Sequence, residues 1–262
     1  MAEFDFYNAS LKEIVDAYLA DGCVLLRRFL KPESLACVGE LVNSLSDKSN
    51  EAHIEPQHLR KWGLPLFHER LFENKHLQLL DFLFRDSGYE VSERTATRRI
   101  GINPDGQWQA PLGPHLDSFF HPLPFTVNFW VPLQECGMDA PSLAVVQAPF
   151  DEVIDYTGYE RVSDNDVGPF LADHADWNFT NFDRRMYALA CNEPNAIAHL
   201  RQRFGARIWA PTYSVGDAMM SSNWTLHFTH ALPGMQQRRS NLELRFSSEL
   251  TLAKIIAMHQ RN

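Results

Sequence analysis

Apolar residues recur at helical spacing near the start of the chain and give way to short alternating runs further on. Over residues 10–20, Leu11, Ile14, Val15 and Leu19 fall on one stripe behind Ser10, a candidate N-cap, and Asp21-Gly22 punctuates the segment. Residues 23–30 then read as a short strand, and Pro32-Glu33-Ser34 opens a second helix running to about Leu45. Residues 46–65 are polar and without period, whereas residues 68–84 return to helical spacing through Leu71, Phe72, Leu79, Leu80 and Leu83. From Arg94 onward the pattern becomes β-like. Runs at 95–102, 125–133, 142–146, 206–210, 217–221 and 241–246 are separated by Gly, Pro and Asp. Short strands so spaced predict a mainly β domain of jelly-roll or barrel type, with helices flanking it.

Between the two halves of this β-rich region, residues 151–203 form an insertion rich in Asp, Asn, Tyr, Trp and Phe, ending in a predicted helix at 195–204. Its position makes it a candidate lid or substrate-binding insertion, and packing of a peripheral loop accounts for the same aromatics. The 262 residues, 45% of them hydrophobic, suffice for one enzyme-sized domain with a substantial core.

Charge and cysteine usage narrow the function classes. The net charge of −9 comes with no basic run longer than a pair such as Arg98-Arg99, which disfavours nucleic-acid binding. The opening residues lack a continuous apolar stretch, and none elsewhere reaches the ~20 residues needed to cross a bilayer. The expectation is a cytoplasmic, soluble monomer or homodimer acting on a small molecule. Cys23, Cys37, Cys136 and Cys191 are scattered without a C-x-x-C pair and read as reduced thiols.

The candidate chemistry centres on His115-Leu116-Asp117. On an extended strand, residues two apart share a face, so an imidazole and a carboxylate stand together. With a distant histidine they would complete the 2-His-1-carboxylate facial triad of non-haem Fe(II) oxygenases. His227 and His230 both follow Gly216-Asp217 and are the candidates for that histidine.

Here the chain resembles the phytanoyl-CoA dioxygenase-like branch of the Fe(II)/2-oxoglutarate oxygenases. Asp21-Gly22, His115-Leu116-Asp117, Trp130-Val-Pro-Leu133, Gly216-Asp217, His227, Thr229, Arg239 and Arg245-Phe246 occur in that family's order. The resemblance implies a double-stranded β-helix, cupin-like, with Fe(II) held by His115, Asp117 and His227. The ten-residue interval from Asp217 matches the family at His227 and not at His230. Two departures stand out: Leu116 occupies a place where Gln is common, and the Asn usual after the distal His is absent.

The resemblance further implies 2-oxoglutarate as co-substrate, chelating iron through its C1 end, with O2 as oxidant. The far carboxylate needs a bidentate cation, which an arginine supplies and a lysine does not. Period two places Arg239, Asn241, Glu243 and Arg245 on one face. Arg239, nearer His227, takes the cofactor role, and Arg245 is a candidate substrate anchor. Thr229 resembles the hydroxyl that bonds the cofactor carboxylate, or it bonds nearby backbone. Asn128 and Thr126 share a face with Trp130 and are candidate cofactor contacts or a structural polar pair. Arg99 and Trp224 are candidate substrate contacts, with Trp108 and Tyr213 further aromatic possibilities.

Because Asp117 is present, where related halogenases carry a small residue, the resemblance favours hydroxylation, desaturation or cyclisation over halogenation. The competing readings are a cupin-like binding module with a vestigial metal site and a zinc hydrolase on the same ligands. The arginine clamp argues against both.

Overall fold

In a computed structural model, which describes residues 2–36, 38, 53–54, 71–91, 96–100, 113–117, 125–148, 152–153 and 196–260, the predicted helix forms as α1, Leu11–Asp21. Ser10 Oγ accepts the Glu13 amide while the Glu13 carboxylate accepts the Ser10 amide, a capping box. Gly22 closes the helix in the left-handed conformation, φ 73°, a position that suits glycine. The strand Glu3–Asp5 (β1) lies parallel to Cys23–Arg27 (β2), on the far side of the helix in sequence. Of the second predicted helix, residues 32–36 are helical and most of the rest lies outside the described residues.

The helical spacing expected across 68–84 does not yield one helix. It breaks at residues 72–73, and α2 begins afresh at Asn74–Phe84 because His76 Nδ1 accepts the Glu73 amide at 2.9 Å. His53–Ile54 (β3) precedes this helix, and after it come Glu90–Val91 (β4), Ala96–Ile100 (β5), Phe125–Pro132 (β6) and Ser142–Val146 (β7). Helix α3 spans Ala196–Phe204, followed by Ile208–Trp209 (β8), Ala218–Ser222 (β9), His227–His230 (β10), Arg239–Ser248 (β11) and Leu252–Gln260 (α4).

Among the described residues, eight strands form a large mixed sheet in the order β1-β2-β9-β6-β11-β5-β3, with β4 pairing β11; β10, β7 and β8 form a small antiparallel sheet. Two sheets and flanking helices make this a mainly β, cupin-like jelly roll. No helix among the described residues is long and apolar enough to cross a membrane.

Strand periodicity explains how the sheets are used. Val24 and Leu26 of β2, Ala218 and Met220 of β9, Phe125, Val127, Phe129 and Val131 of β6, and Leu242, Leu244 and Phe246 of β11 all face one core. There they meet Ile14, Val15 and Tyr18 of α1 and Leu79, Leu80 and Leu83 of α2. Phe29 stacks on Phe129 with centroids 4.7 Å apart. Each such ring or aliphatic side chain stabilises the fold by roughly 1.5–3 kcal/mol on burial. The alternate residues point between the sheets. Cys23, Leu25, Trp130, Leu143, Val145, Tyr213 and Met219 fill part of that space as a separate apolar cluster.

Gly216-Asp217 serves this architecture. Gly216 has φ 91°, and a Cβ there would stand 2.3 Å from the Leu30 carbonyl oxygen, so only glycine fits. Asp217 accepts from Arg27 Nη1 at 2.6 Å and from the Arg28 and Ser214 amides at 3.0 and 2.9 Å, fixing β2 to the turn before β9. Cys23 and Cys136 are buried free thiols, each pushed up to about 12 by burial. Cys37 and Cys191 lie outside the described residues, as do Trp108 and most of the 151–203 insertion. At that insertion's margins, Val153 packs with Leu200 and Phe204 of α3, and Glu152 receives both Nη atoms of Arg207 at 2.6 Å.

Candidate metal centre

The residues Ser222 to Thr225 form the turn that sets up β10. Thr225 Oγ1 accepts the Ser222 amide at 2.9 Å and donates to the Gly22 carbonyl at 2.6 Å, tying the end of α1 to this turn. Asn223 adds a second tie, its Oδ1 accepting the Thr126 amide at 3.1 Å. The Thr225 carbonyl in turn accepts from His227 Nδ1 at 2.8 Å. On the facing segment, His115 and His227 pair as an antiparallel bridge, with amide-to-carbonyl distances of 2.9 and 3.0 Å. His115 Nδ1 lies 2.7 Å from the Gly113 carbonyl.

Those two carbonyls decide the histidine tautomers. A carbonyl only accepts, so each Nδ1 carries the proton and each Nε2 is left with its lone pair. Both Nε2 atoms face Asp117 Oδ1, at 3.9 Å from His115 and 3.6 Å from His227. One ligating atom from each of the three residues lies within 4.8 Å of the others, and all three side chains are buried. Donors about 2.1 Å from one ion stand ~3 Å apart in octahedral geometry, so both histidine-to-Asp117 edges are within about 1 Å of the spacing that a shared metal requires.

Leu116 points the opposite way from its neighbours. It is buried among Ala144, Val146, Leu226 and Phe228 on the outer face of the small sheet. The position between the two candidate ligands therefore faces hydrocarbon, where a glutamine would leave its amide unsatisfied. His230 also differs from His227. Its strand pairing is with Ser142, in the row of Phe228 and Ala144, whereas His227 pairs with Val145 in the inward row. Three residues along a strand means the other face. Burial, with a smaller effect from Arg201, holds its pKa below the usual histidine value.

Behind Asp117 stands a row of polar side chains from the large sheet. Arg245 Nη2 lies 3.3 Å from Asp117 Oδ2 and 2.6 Å from Glu243 Oε2, and Asn128 Nδ2 donates to the same Asp117 oxygen at 3.3 Å. Asn241 Nδ2 donates to Glu243 Oε1 at 3.2 Å. Burial works against the Arg245 cation, but Glu243 and Asp117 outweigh that penalty and raise its pKa. The arginine expected as a substrate anchor is thus engaged by two carboxylates next to the metal triangle.

Arg239, at the start of the same strand, is 2% exposed. Its guanidinium sits 5.2 Å from the Trp130 ring centre, and Nη1 donates to the Ser142 carbonyl at 3.1 Å. It thereby reaches the small sheet beside Leu143, the residue paired with Thr229. Thr229 lies two residues past His227 on the same inward row, roughly 6.6 Å along the strand. Thr126 Oγ1 pairs with Ser247 Oγ at 3.0 Å. Tyr213 is core, donating its hydroxyl to the Leu143 carbonyl at 3.0 Å, and Trp224 packs against the outer cluster that holds Leu116. Arg99 pairs with Ser240 in the β5–β11 ladder and Arg98 with Asn241; the side chains of both lie outside the described residues. Glu243, which period two places on the same face as Arg245, is the residue whose role the sequence does not announce; that alternation is the signal it carries.

No family model matches the chain, and no curated protein matches its sequence. Among solved structures it resembles SnoN, the non-heme alpha-ketoglutarate-dependent epimerase from nogalamycin biosynthesis, at 14% identity over 91% of this chain and 82% of that one, TM-score 0.54. The structure of SnoN with Fe3+, alpha-ketoglutarate and nogalamycin RO gives 15% identity over 91% and 83%, TM-score 0.57. At such identity the likeness shows a shared fold.

Proposed function

We propose that the protein is an Fe(II)- and 2-oxoglutarate-dependent dioxygenase, of the phytanoyl-CoA dioxygenase-like kind, that hydroxylates an unactivated C–H bond of a small organic molecule. The observation that carries this reading is the convergence of two Nε2 lone pairs and one carboxylate oxygen in a buried triangle. His115, Asp117 and His227 would hold the iron. Once bound, it supplies oxygen activation coupled to decarboxylation of the keto acid to succinate and CO2.

The protein's own contribution is positional. The Gly113 and Thr225 carbonyls orient the imidazoles, and Arg239 meets the distal carboxylate of the keto acid. Thr229, whose inward row leads from His227 towards Arg239, adds a hydroxyl to that carboxylate. Asn128 acts on the metal side by holding Asp117, rather than on the cofactor. Thr126, already paired with Ser247, stays structural. Tight walls such as Trp130, Val145 and Met219 exclude water from the reacting centre. A carboxylate clamp has no use in a zinc hydrolase, which leaves that reading without support.

A second reading is epimerisation, in which a hydrogen atom is taken from one face of a carbon and another is delivered to the opposite face, an added reductant such as ascorbate supplying the two electrons that balance the oxygen consumed. It is favoured by the likeness to an epimerase. The supporting experiment supplies Fe(II), 2-oxoglutarate and 18O2, and follows succinate release while candidate substrates are screened. Oxygen-dependent succinate with 18O in the product supports hydroxylation. Succinate with an isomerised, unlabelled product supports epimerisation. No oxygen-dependent succinate from iron-loaded protein contradicts both.

A further inference from the structure

Asp117 has two oxygens in different surroundings. Oδ1 faces the imidazole nitrogens of His115 and His227, at 3.9 and 3.6 Å, while Oδ2 is approached by Arg245 Nη2 and Asn128 Nδ2, both at 3.3 Å. A guanidinium nitrogen of the Nη type carries two hydrogens. Arg245 Nη2 can therefore serve Asp117 with one and Glu243 Oε2, 2.6 Å away, with the other. Glu243 is fixed in its turn through Oε1, which accepts from Asn241 Nδ2 at 3.2 Å. The row rests on one strand, because residues 241, 243 and 245 alternate inward on β11.

From this we propose that Glu243 and Arg245 form a positioning pair for Asp117, resting on the metal-site reading above. Arg245, with Asn128, keeps Oδ2 occupied so that Asp117 presents Oδ1 alone to the metal. Three coordination positions then remain, enough for a chelating keto acid and oxygen. A carboxylate free to turn both oxygens to the ion would take one of them.

Glu243 has a separate task. An arginine bonded to a ligand carboxylate withdraws its negative charge and repels the cation it should hold. The Glu243 carboxylate cancels the Arg245 charge, so that Asp117 reaches the metal as a full anionic donor. In a buried site that cancellation is felt strongly, because little solvent screens it.

The test uses full-length protein titrated anaerobically with Co(II), with two readouts besides turnover. One is Co(II) affinity from the visible absorption of the ion. The other is the splitting between antisymmetric and symmetric carboxylate stretches in the metal-induced infrared difference spectrum, wide when one oxygen binds and narrow when both do. Glu243→Gln is expected to weaken Co(II) binding about 10–100-fold with the wide splitting kept, as for other groups that orient metal ligands. Glu243→Asp, which keeps the charge, should stay within about threefold of wild type, the scatter expected of a near-neutral change.

Arg245→Met should narrow the splitting. The double variant Glu243→Gln with Arg245→Met, charge-balanced like the wild type and suited to the case in which Glu243→Gln does not fold, should recover affinity and keep the narrow splitting. Glu243→Gln with wild-type affinity, or a double variant binding as weakly as a folded Glu243→Gln, would overturn the charge role. Arg245→Met with the wide splitting would overturn the lock. Wild-type protein that binds no Co(II) would fail earlier and differently, removing the metal site itself.

Discussion

The two faces of the large sheet are made by alternate residues of the same strands and could hardly differ more. On β6, Phe125, Val127, Phe129 and Val131 face the helices, while Asn128, between two of them, donates to Asp117. On β11, Leu242, Leu244 and Phe246 face the helices, while Glu243 and Arg245 support the candidate ligand carboxylate. The outer face is held by area removed from water, which tolerates changes of shape at moderate cost. The inner face carries the smaller apolar cluster of Leu25, Trp130 and Met219, but around Asp117 it is held by a few directed polar contacts that fail if one partner goes. A strand with this division keeps the site rigid, because the hydrophobic layer immobilises the backbone from which the site residues project.

Substitutions on either face should therefore separate stability from chemistry. Phe129→Ala, on the outer face, is expected to cost about 3–5 kcal/mol in urea unfolding while the folded fraction keeps its metal affinity. Lost metal affinity in that folded fraction would mean that the faces are not independent. Arg239→Ala, on the inner face, should do the reverse. It is expected to raise the 2-oxoglutarate KM about 100-fold through loss of two charge-assisted hydrogen bonds, with a smaller effect on kcat. An unchanged KM would move the clamp elsewhere.

A gentler test uses pH. His76 is buried against Phe6, Phe29 and Phe72, with Nε2 at 2.6 Å from the Phe29 carbonyl and Nδ1 accepting from Glu73. Burial lowers its pKa, so the folded state takes up a proton less readily than the unfolded chain. Stability contributed by this group is present above the unfolded value, about 6.5, and declines as pH falls from there towards the folded value. Urea midpoints at pH 7.5 and 5 should show that decline, and His76→Gln should flatten it. The smallest effect is expected from His230→Ala, whose position faces away from the triangle. Succinate formation should stay within about twofold of wild type, as for substitutions outside packed or bonded sites.

Much of the inner face was legible because period two is a local rule. It puts His115 with Asp117, and Arg239 with Asn241, Glu243 and Arg245, from the sequence alone. What joined these groups was not local. The contact between Arg245 and Asp117 spans 128 positions, and the two histidines meet through a bridge between segments over a hundred residues apart. Parallel pairing of β1 with β2 across α1 leaves no pattern in either strand, and β10, four residues of mixed polarity, gives too short an alternation to count. The C-terminal helix α4 is only nine residues long, and its start is marked by Thr251, whose Oγ1 accepts the Lys254 amide. Gly216-Asp217, which marks the distal histidine in the sequence, has a structural reason: a close backbone approach and a three-bond aspartate.

The central claim is that the buried triangle holds ferrous iron with 2-oxoglutarate chelated to it. The most direct measurement is the visible metal-to-ligand charge-transfer band on anaerobic addition of Fe(II) and 2-oxoglutarate. The account predicts a band that is present in the wild-type protein and absent in folded His227→Ala. A wild-type protein without the band, or a band that survives His227→Ala, would contradict it.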